Sequence, residues 1–249
     1  TVLLSYSQPV DISLDGHRID EAFLYTTRLI ACYFLIVVAV MGYCLLRFQA
    51  RPGHKAEYIR GDQPRHLLLT GALAASVFLL IDLRLIDTAG RDVSEVFWKY
   101  PAGKDVLPIE VMAQQFEWHF RYAGPDGKFN TPDDIESNGT LHVPTGRPVV
   151  MRLRARDVIH CLFLPNVRLK QDVIPGRQTQ LWFQAAKTGD YEIACAQLCG
   201  LGHYKMRGQF VSEDPKDFDA WLAKAGKEAA EEYDPKDQTS NWGWDWESH

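Results

Sequence analysis

Leu29 to Leu46, "LIACYFLIVVAVMGYCLL", is a run of eighteen residues without a single charge. A helix of that length spans about 27 Å, enough to cross the hydrocarbon core of a bilayer. A buried helix of a globular domain normally keeps a polar stripe, and this run has none. A second candidate span, Leu67 to Ile86, carries Asp82 and Arg84 near its end. Both charges lie within reach of one membrane interface, so it suits the partner of a first span. The expectation is a two-helix membrane hairpin followed, after about residue 88, by a water-soluble domain.

The loop between the spans sets the orientation. Residues 47–66 hold Arg47, Arg51, Lys55, Arg60 and Arg65 against Glu57 and Asp62, whereas the first 28 residues hold only Arg18 and Arg28 as basic side chains. The positive-inside rule puts the loop in the cytoplasm and both termini outside. Charged residues are 24% and the net charge is −5, which argues against a nucleic-acid surface. The first twenty residues lack a basic region followed by an apolar core, so no intact signal peptide is expected.

The soluble part reads as β structure. From Ile109 the chain alternates, with Met112, Phe116, Trp118, Phe120 and Tyr122 on one face and Glu117, His119 and Arg121 on the other, as in a half-buried strand. "RPVVMRLRARD" repeats the pattern, with Val149, Met151, Leu153 and Ala155 opposite Arg152, Arg154 and Arg156. Short β-rich runs follow at "VIHCLFL", "QTQLWFQ", "DYEIAC" and "GQFV", separated by turn residues. Such spacing predicts a sandwich or small barrel. Residues 215–232 place Phe218, Trp221, Leu222 and Ala225 at helical spacing after Asp214 and Pro215, and predict an amphipathic helix. An acidic tail ends in "NWGWDWESH", read either as packed on its own domain or as an anchor in a partner subunit.

The chemistry concentrates in "CAQLCGLGHYKM", where Cys195, Cys199, His203 and Met206 follow the pattern C-x3-C-x3-H-x2-M. A disulfide would leave the histidine and methionine unexplained. Zinc takes Cys and His readily, but thioether is a poor ligand for it. Copper accepts all four, and a weak axial Met is a feature of electron-transfer copper sites. Two cysteines four apart can each bridge two metals, and His160 can supply a second imidazole from another loop. A dinuclear site is the better count.

With "CAQLCGLGHYKM", the stretch "DVIHCLFLPNVRLKQDVIPGR" and the aromatic "QQFEWHFRY", the chain resembles subunit II of cytochrome c oxidase over about residues 20–225. The resemblance implies a membrane-anchored all-β protein: two N-terminal transmembrane helices, a cupredoxin-like Greek-key β-barrel and a C-terminal amphipathic helix. The corresponding boundaries are 1–22 for an external segment, 23–90 for the hairpin, 91–213 for the copper domain and 214–249 for the helix and tail. It implies a dinuclear CuA centre with Cys195 and Cys199 as bridging thiolates. His160 and Met206 serve one copper, His203 serves the other, and Gln197 contributes its main-chain oxygen. Electrons would come from a c-type cytochrome and pass to haem in subunit I; the departures from the family pattern and the surface charge favour a donor held within a larger complex over a freely diffusing one.

Some positions depart from the family pattern. Gln197 replaces a glutamate that helps hold magnesium or manganese at the subunit I interface, and a neutral amide is a weaker ligand for a hard cation. Phe116 stands where many members place the tryptophan that receives electrons, while Trp118 is kept. Asp62 lies only near the place of a glutamate at the start of the second span. Cys161 reads as a small buried apolar residue, Cys32 and Cys44 as packing, and no C-x-x-C-H motif offers a haem of the chain's own. Residues 124–139 form an acidic hairpin; Asp126, Asn130, Asp133 and Asp134 could face calcium, but their spacing fits no EF-hand, and the charge would serve to attract a donor. A copper-free subunit II of a quinol oxidase would lack these ligands. A nitrous oxide reductase would lack the two spans and carry a large further domain.

Overall fold

The computed structural model describes residues 8–53, 55 and 58–232, and the tryptophan-rich tail lies outside them. The described chain forms two compact units. One comprises Arg18–Lys99, and the other joins the residues up to His17 with those from Tyr100 onward.

The first unit is built on two long apolar helices, α1 (Gly16–Arg47) and α2 (Pro64–Phe97). At 1.5 Å per residue they measure about 48 and 51 Å, more than the roughly 30 Å that a bilayer core requires. Their apolar side chains point outward: Leu68 is 74% and Leu45 73% exposed, as lipid-facing residues should be. The helices pair antiparallel. Arg18 bonds Asp92 at 3.0 Å, and the Tyr33 hydroxyl donates to Ser76 Oγ at 2.9 Å. The Tyr25 hydroxyl donates to the Leu80 carbonyl, which lies in a π-helical turn, Phe78–Asp82, within α2. The expected spans fall inside these helices, and the structure extends both with charged turns that end in the Arg18–Asp92 pair.

The second unit is a sandwich of two five-stranded sheets. The strands are β1 (Leu107–Gln114), β2 (Glu117–Tyr122), β3 (Ile135–Asn138), β4 (Thr140–Pro144), β5 (Pro148–Ala155), β6 (His160–Leu164), β7 (Leu169–Val173), β8 (Thr179–Gln184), β9 (Gly189–Cys195) and β10 (Arg207–Glu213). One sheet runs β3-β2-β1-β5-β8 and the other β4-β10-β9-β6-β7. This is the cupredoxin-like Greek-key arrangement. Inward-facing residues of both sheets, such as Val111, Phe120, Leu153, Leu162 and Phe210, are fully buried between them. The N-terminal segment closes one side: Ile12 is fully buried, its N–H donating to Asn166 O at 2.9 Å and its carbonyl accepting from the Ala186 N–H at 2.6 Å. Helix α3 (Pro215–Glu232) buries Phe218 in the core and stacks Trp221 on His142 at 4.0 Å.

Two readings of the aromatic stretch are corrected. It is not one alternating strand, because a turn at Gln115 and Phe116 separates β1 from β2. Ala113 therefore opposes the inward-facing Trp118, whereas Met112 opposes His119 on the outer face. Nor is that outer face half-exposed throughout. Arg121 and Glu110 are both fully buried there, with Arg121 Nε 3.0 Å from Glu110 Oε2. The cover is the 123–134 hairpin, whose Asn130 Oδ1 accepts from Arg121 Nη2 at 2.9 Å and whose Asp134 lies 3.5 Å from Arg121 Nε.

Candidate metal centre

Strand pairing gathers the ligand-type residues. Antiparallel β6 and β9 set Leu162 opposite Cys195, so His160 at the start of β6 lies beside the end of β9. Strand β10 begins one residue after Met206 and pairs Arg207 with Ala194, returning the loop to the same end. The Cys195 N–H donates to the Met206 carbonyl at 3.2 Å and closes that loop.

Nitrogen and sulfur donors therefore converge in a buried place. Cys195 Sγ and Cys199 Sγ are 3.9 Å apart, far beyond the roughly 2.05 Å of a disulfide, so both are free thiols. His160 Nδ1 is 3.1 Å from Met206 Sδ, Cys199 Sγ is 3.7 Å from Met206 Sδ, and His203 Nδ1 is 3.6 Å from Cys199 Sγ. The Gln197 carbonyl turns inward and accepts from Cys195 Sγ at 3.2 Å. The ligand atoms of His160, Cys195 and Cys199 all lie within 4.8 Å of one another. Only soft and borderline side-chain donors point inward, which suits copper and not a hard cation.

Second contacts prepare these donors. Asp157 Oδ1 is 2.8 Å from His160 Nε2. A carboxylate can only accept, so in the neutral ring Nε2 carries the proton and Nδ1 presents its lone pair to the sulfur atoms. Burial disfavours ionisation of Cys195, but hydrogen bonding with His160, the Cys161 and Gln197 backbone and His203 together outweighs it and lowers that thiol below its ordinary value. Burial and then the charge of Cys195 raise Cys199. Asp157 was not singled out from the sequence; its place three residues before His160 was the available signal.

The aromatic residues take different places. Trp118 is fully buried, edge-on to the His160 ring at 6.1 Å between centroids. Phe116 sits at the β1–β2 turn and is 36% exposed. In the ligand loop Leu198 (76%), Leu201 (97%) and Tyr204 (69%) are exposed as well. Cys161 is buried and lies outside the cluster; burial, followed by a hydrogen bond with Asp172, pushes its thiol up to about 12.

The acidic hairpin is not beside this site. It follows the other end of β2, roughly 17 Å from the Phe116 turn at 3.3–3.4 Å per strand residue. Its polar groups bond within the unit. Asp126 accepts from the Lys128 N–H, Asp133 from the Thr131 hydroxyl, and Asn130 and Asp134 face Arg121. Its charge therefore lies at the end of β2 away from the metal.

The model of the family "Cytochrome C oxidase subunit II, periplasmic domain" matches residues 107–211. Alternative cytochrome c oxidase subunit 2 of Bradyrhizobium diazoefficiens is 31% identical over 233 residues, covering 85% of this chain and 81% of the relative. Cytochrome c oxidase subunit 2 of Synechocystis sp. is 30% identical over 256 residues, covering 86% and 74%. The crystal structure of the periplasmic domain of subunit II of cytochrome oxidase of Bradyrhizobium japonicum is 29% identical, covering 52% of this chain and 99% of that domain with a TM-score of 0.46. Similarity to the first two over most of their length, joined to the His and Cys cluster in the matched domain, places the chain in the cytochrome c oxidase subunit 2 family: a membrane-anchored subunit of an oxidoreductase complex, with a periplasmic domain.

Proposed function

We propose that this chain is the electron-entry subunit of its oxidase. It takes electrons singly from a c-type cytochrome outside the membrane and passes them to haem in subunit I, while making and breaking no substrate bonds itself. The observation that carries this reading is the buried convergence of His160, Cys195, Cys199 and Met206, with His203 and the Gln197 carbonyl beside them. In this reading Cys195 and Cys199 would hold two coppers between them, with His160, Met206 and His203 as the further side-chain ligands. Copper bound there supplies a one-electron couple.

The protein's own part is rigidity and access. The donors sit at the ends of paired strands and in a self-bonded loop, so they can keep their places on a change of charge, and Asp157 fixes the His160 ring. Phe116 offers the surface where the donor approaches, and Trp118 packs beneath His160. Gln197 presents a neutral amide where a carboxylate would favour magnesium, so copper is the metal assigned to this chain. The basic 47–66 loop supports a cytoplasmic hairpin turn, with the copper domain and both termini on the periplasmic side.

Metal analysis and EPR of the copper-loaded chain test the reading. Two coppers per chain with a mixed-valence spectrum are expected, and Cys199→Ser should abolish the pair by removing one bridge. One copper with a single-copper pattern would overturn it.

A further inference from the structure

One side chain joins both ligand-bearing segments without belonging to the ligand set. Gln115 stands at the β1–β2 turn and directs its Nε2 at the Cys199 carbonyl oxygen, 2.6 Å away. That oxygen only accepts, so the amide nitrogen and not its oxygen must face it. The backbone N–H of Gln115 donates to Asp157 Oδ2 at 2.7 Å, and the other oxygen of that carboxylate meets His160 Nε2. A continuous chain of contacts thus runs from the peptide of Cys199, through Gln115 and Asp157, to the ring of His160.

The Cys199 peptide is the joint of the loop that most needs a tether. Gly200, next in the chain, has φ +136°, a conformation that side chains rarely adopt and that leaves the preceding peptide plane little preference of its own. Beyond it the loop holds itself: the His203 N–H donates to Gly200 O at 3.1 Å and the Met206 N–H to His203 O at 3.2 Å. The turn also lies against bare backbone. A Cβ on Gly200 would stand 2.8 Å from Gln115 Nε2, and one on Gly202 would run into the Phe116 ring.

We propose that Gln115 is the positioning residue of this metal centre. Its amide fixes the Cys199–Gly200 peptide, and with it the direction of Cys199 Sγ, while it seats Phe116 on the loop backbone. The proposal rests on the copper-pair reading above, and both are separable in one experiment on the full chain in detergent. The wild-type chain is loaded with copper first; absence of the pair there overturns both. Gln115→Leu and Gln115→Glu then remove the donor, the second at unchanged size. Each is expected to lower apparent copper affinity about ten- to a hundredfold in competition with a chelator, as loss of a group that orients a ligand does. Each should also change the copper hyperfine splitting, whereas melting of the metal-free chain should hold, because Gln115 is exposed. Gln115→Lys keeps a donor at similar reach and should return affinity and spectrum towards wild type. Wild-type affinity and splitting in the Leu and Glu variants, or a Lys variant as impaired as Leu, would overturn the role of Gln115 while leaving the copper pair standing.

Discussion

Two turns close the opposite ends of β2, and they break the usual partition of side chains in opposite ways. At the metal end, Gln115 and Phe116 make a short turn that leaves an aromatic ring 36% exposed. At the far end, residues 123–134 fold back over the sheet and leave a glutamate and an arginine with no exposure at all. The buried charges have an internal explanation, since Glu110, Arg121, Asn130 and Asp134 answer one another. The exposed ring has none within the unit beyond its seat on Gly202, which suits the donor-facing surface proposed for it. Within one strand, the far end buries charge and the metal end exposes an aromatic ring.

The largest expected effect lies at the far end. Arg121→Met leaves Glu110 buried, with Arg152 at 4.0 Å, and should cost about 3–5 kcal/mol of stability while copper binding is retained. Burial already raises the Glu110 carboxyl against the opposing pull of Arg121, and removing Arg121 raises it further. A carboxyl raised in the folded state favours folding at low pH, so the deficit should be largest near neutrality and shrink on acidification. Denaturant melts of both proteins across pH check this; a deficit independent of pH would remove Glu110 as its cause.

At the metal end, Gly202→Ala sharpens the contrast. Gly202 has φ −88°, which alanine adopts freely, and the nearest atoms that the new methyl would meet all belong to the Phe116 ring. The exposed ring can swing outward, and the stability cost should stay near 1 kcal/mol, the low end for an added methyl group. Copper content should hold while reduction by an external donor slows. An unchanged rate in stopped-flow would take Phe116 off the route.

Cys161→Ser carries the smallest expected effect. The thiol is buried beside Asp172, its register partner, and serine also offers a donor. A change of about 1 kcal/mol and an unaltered EPR spectrum are expected; loss of copper would make Cys161 part of the centre.

Local patterns proved legible wherever the deciding contact lay close along the chain. The inward row of β5 was readable, because period-two alternation decides which face is buried. The 215–232 helix was equally clear, with Phe218 and Trp221 on its packed side. The turn at Gln115 and Phe116 was hidden, since polar and aromatic residues run through it without a glycine or proline to mark it. Missing it shifted Met112 to the wrong face, because one change of parity reverses every side chain beyond it.

The sequence by itself determined the two membrane-length helices, the β class of the domain and the spacing that groups Cys195, Cys199, His203 and Met206, because each depends on residues within a few positions of one another. Only the tertiary structure decided that His160 meets that loop through β6–β9 pairing, that Asp157 and Gln115 brace it, and that the acidic hairpin stands at the far end of the sheet. These depend on strand register and on contacts between residues up to 84 positions apart, as between Gln115 and Cys199. Periodicity states which face of a strand is buried, but not which strand lies beside it.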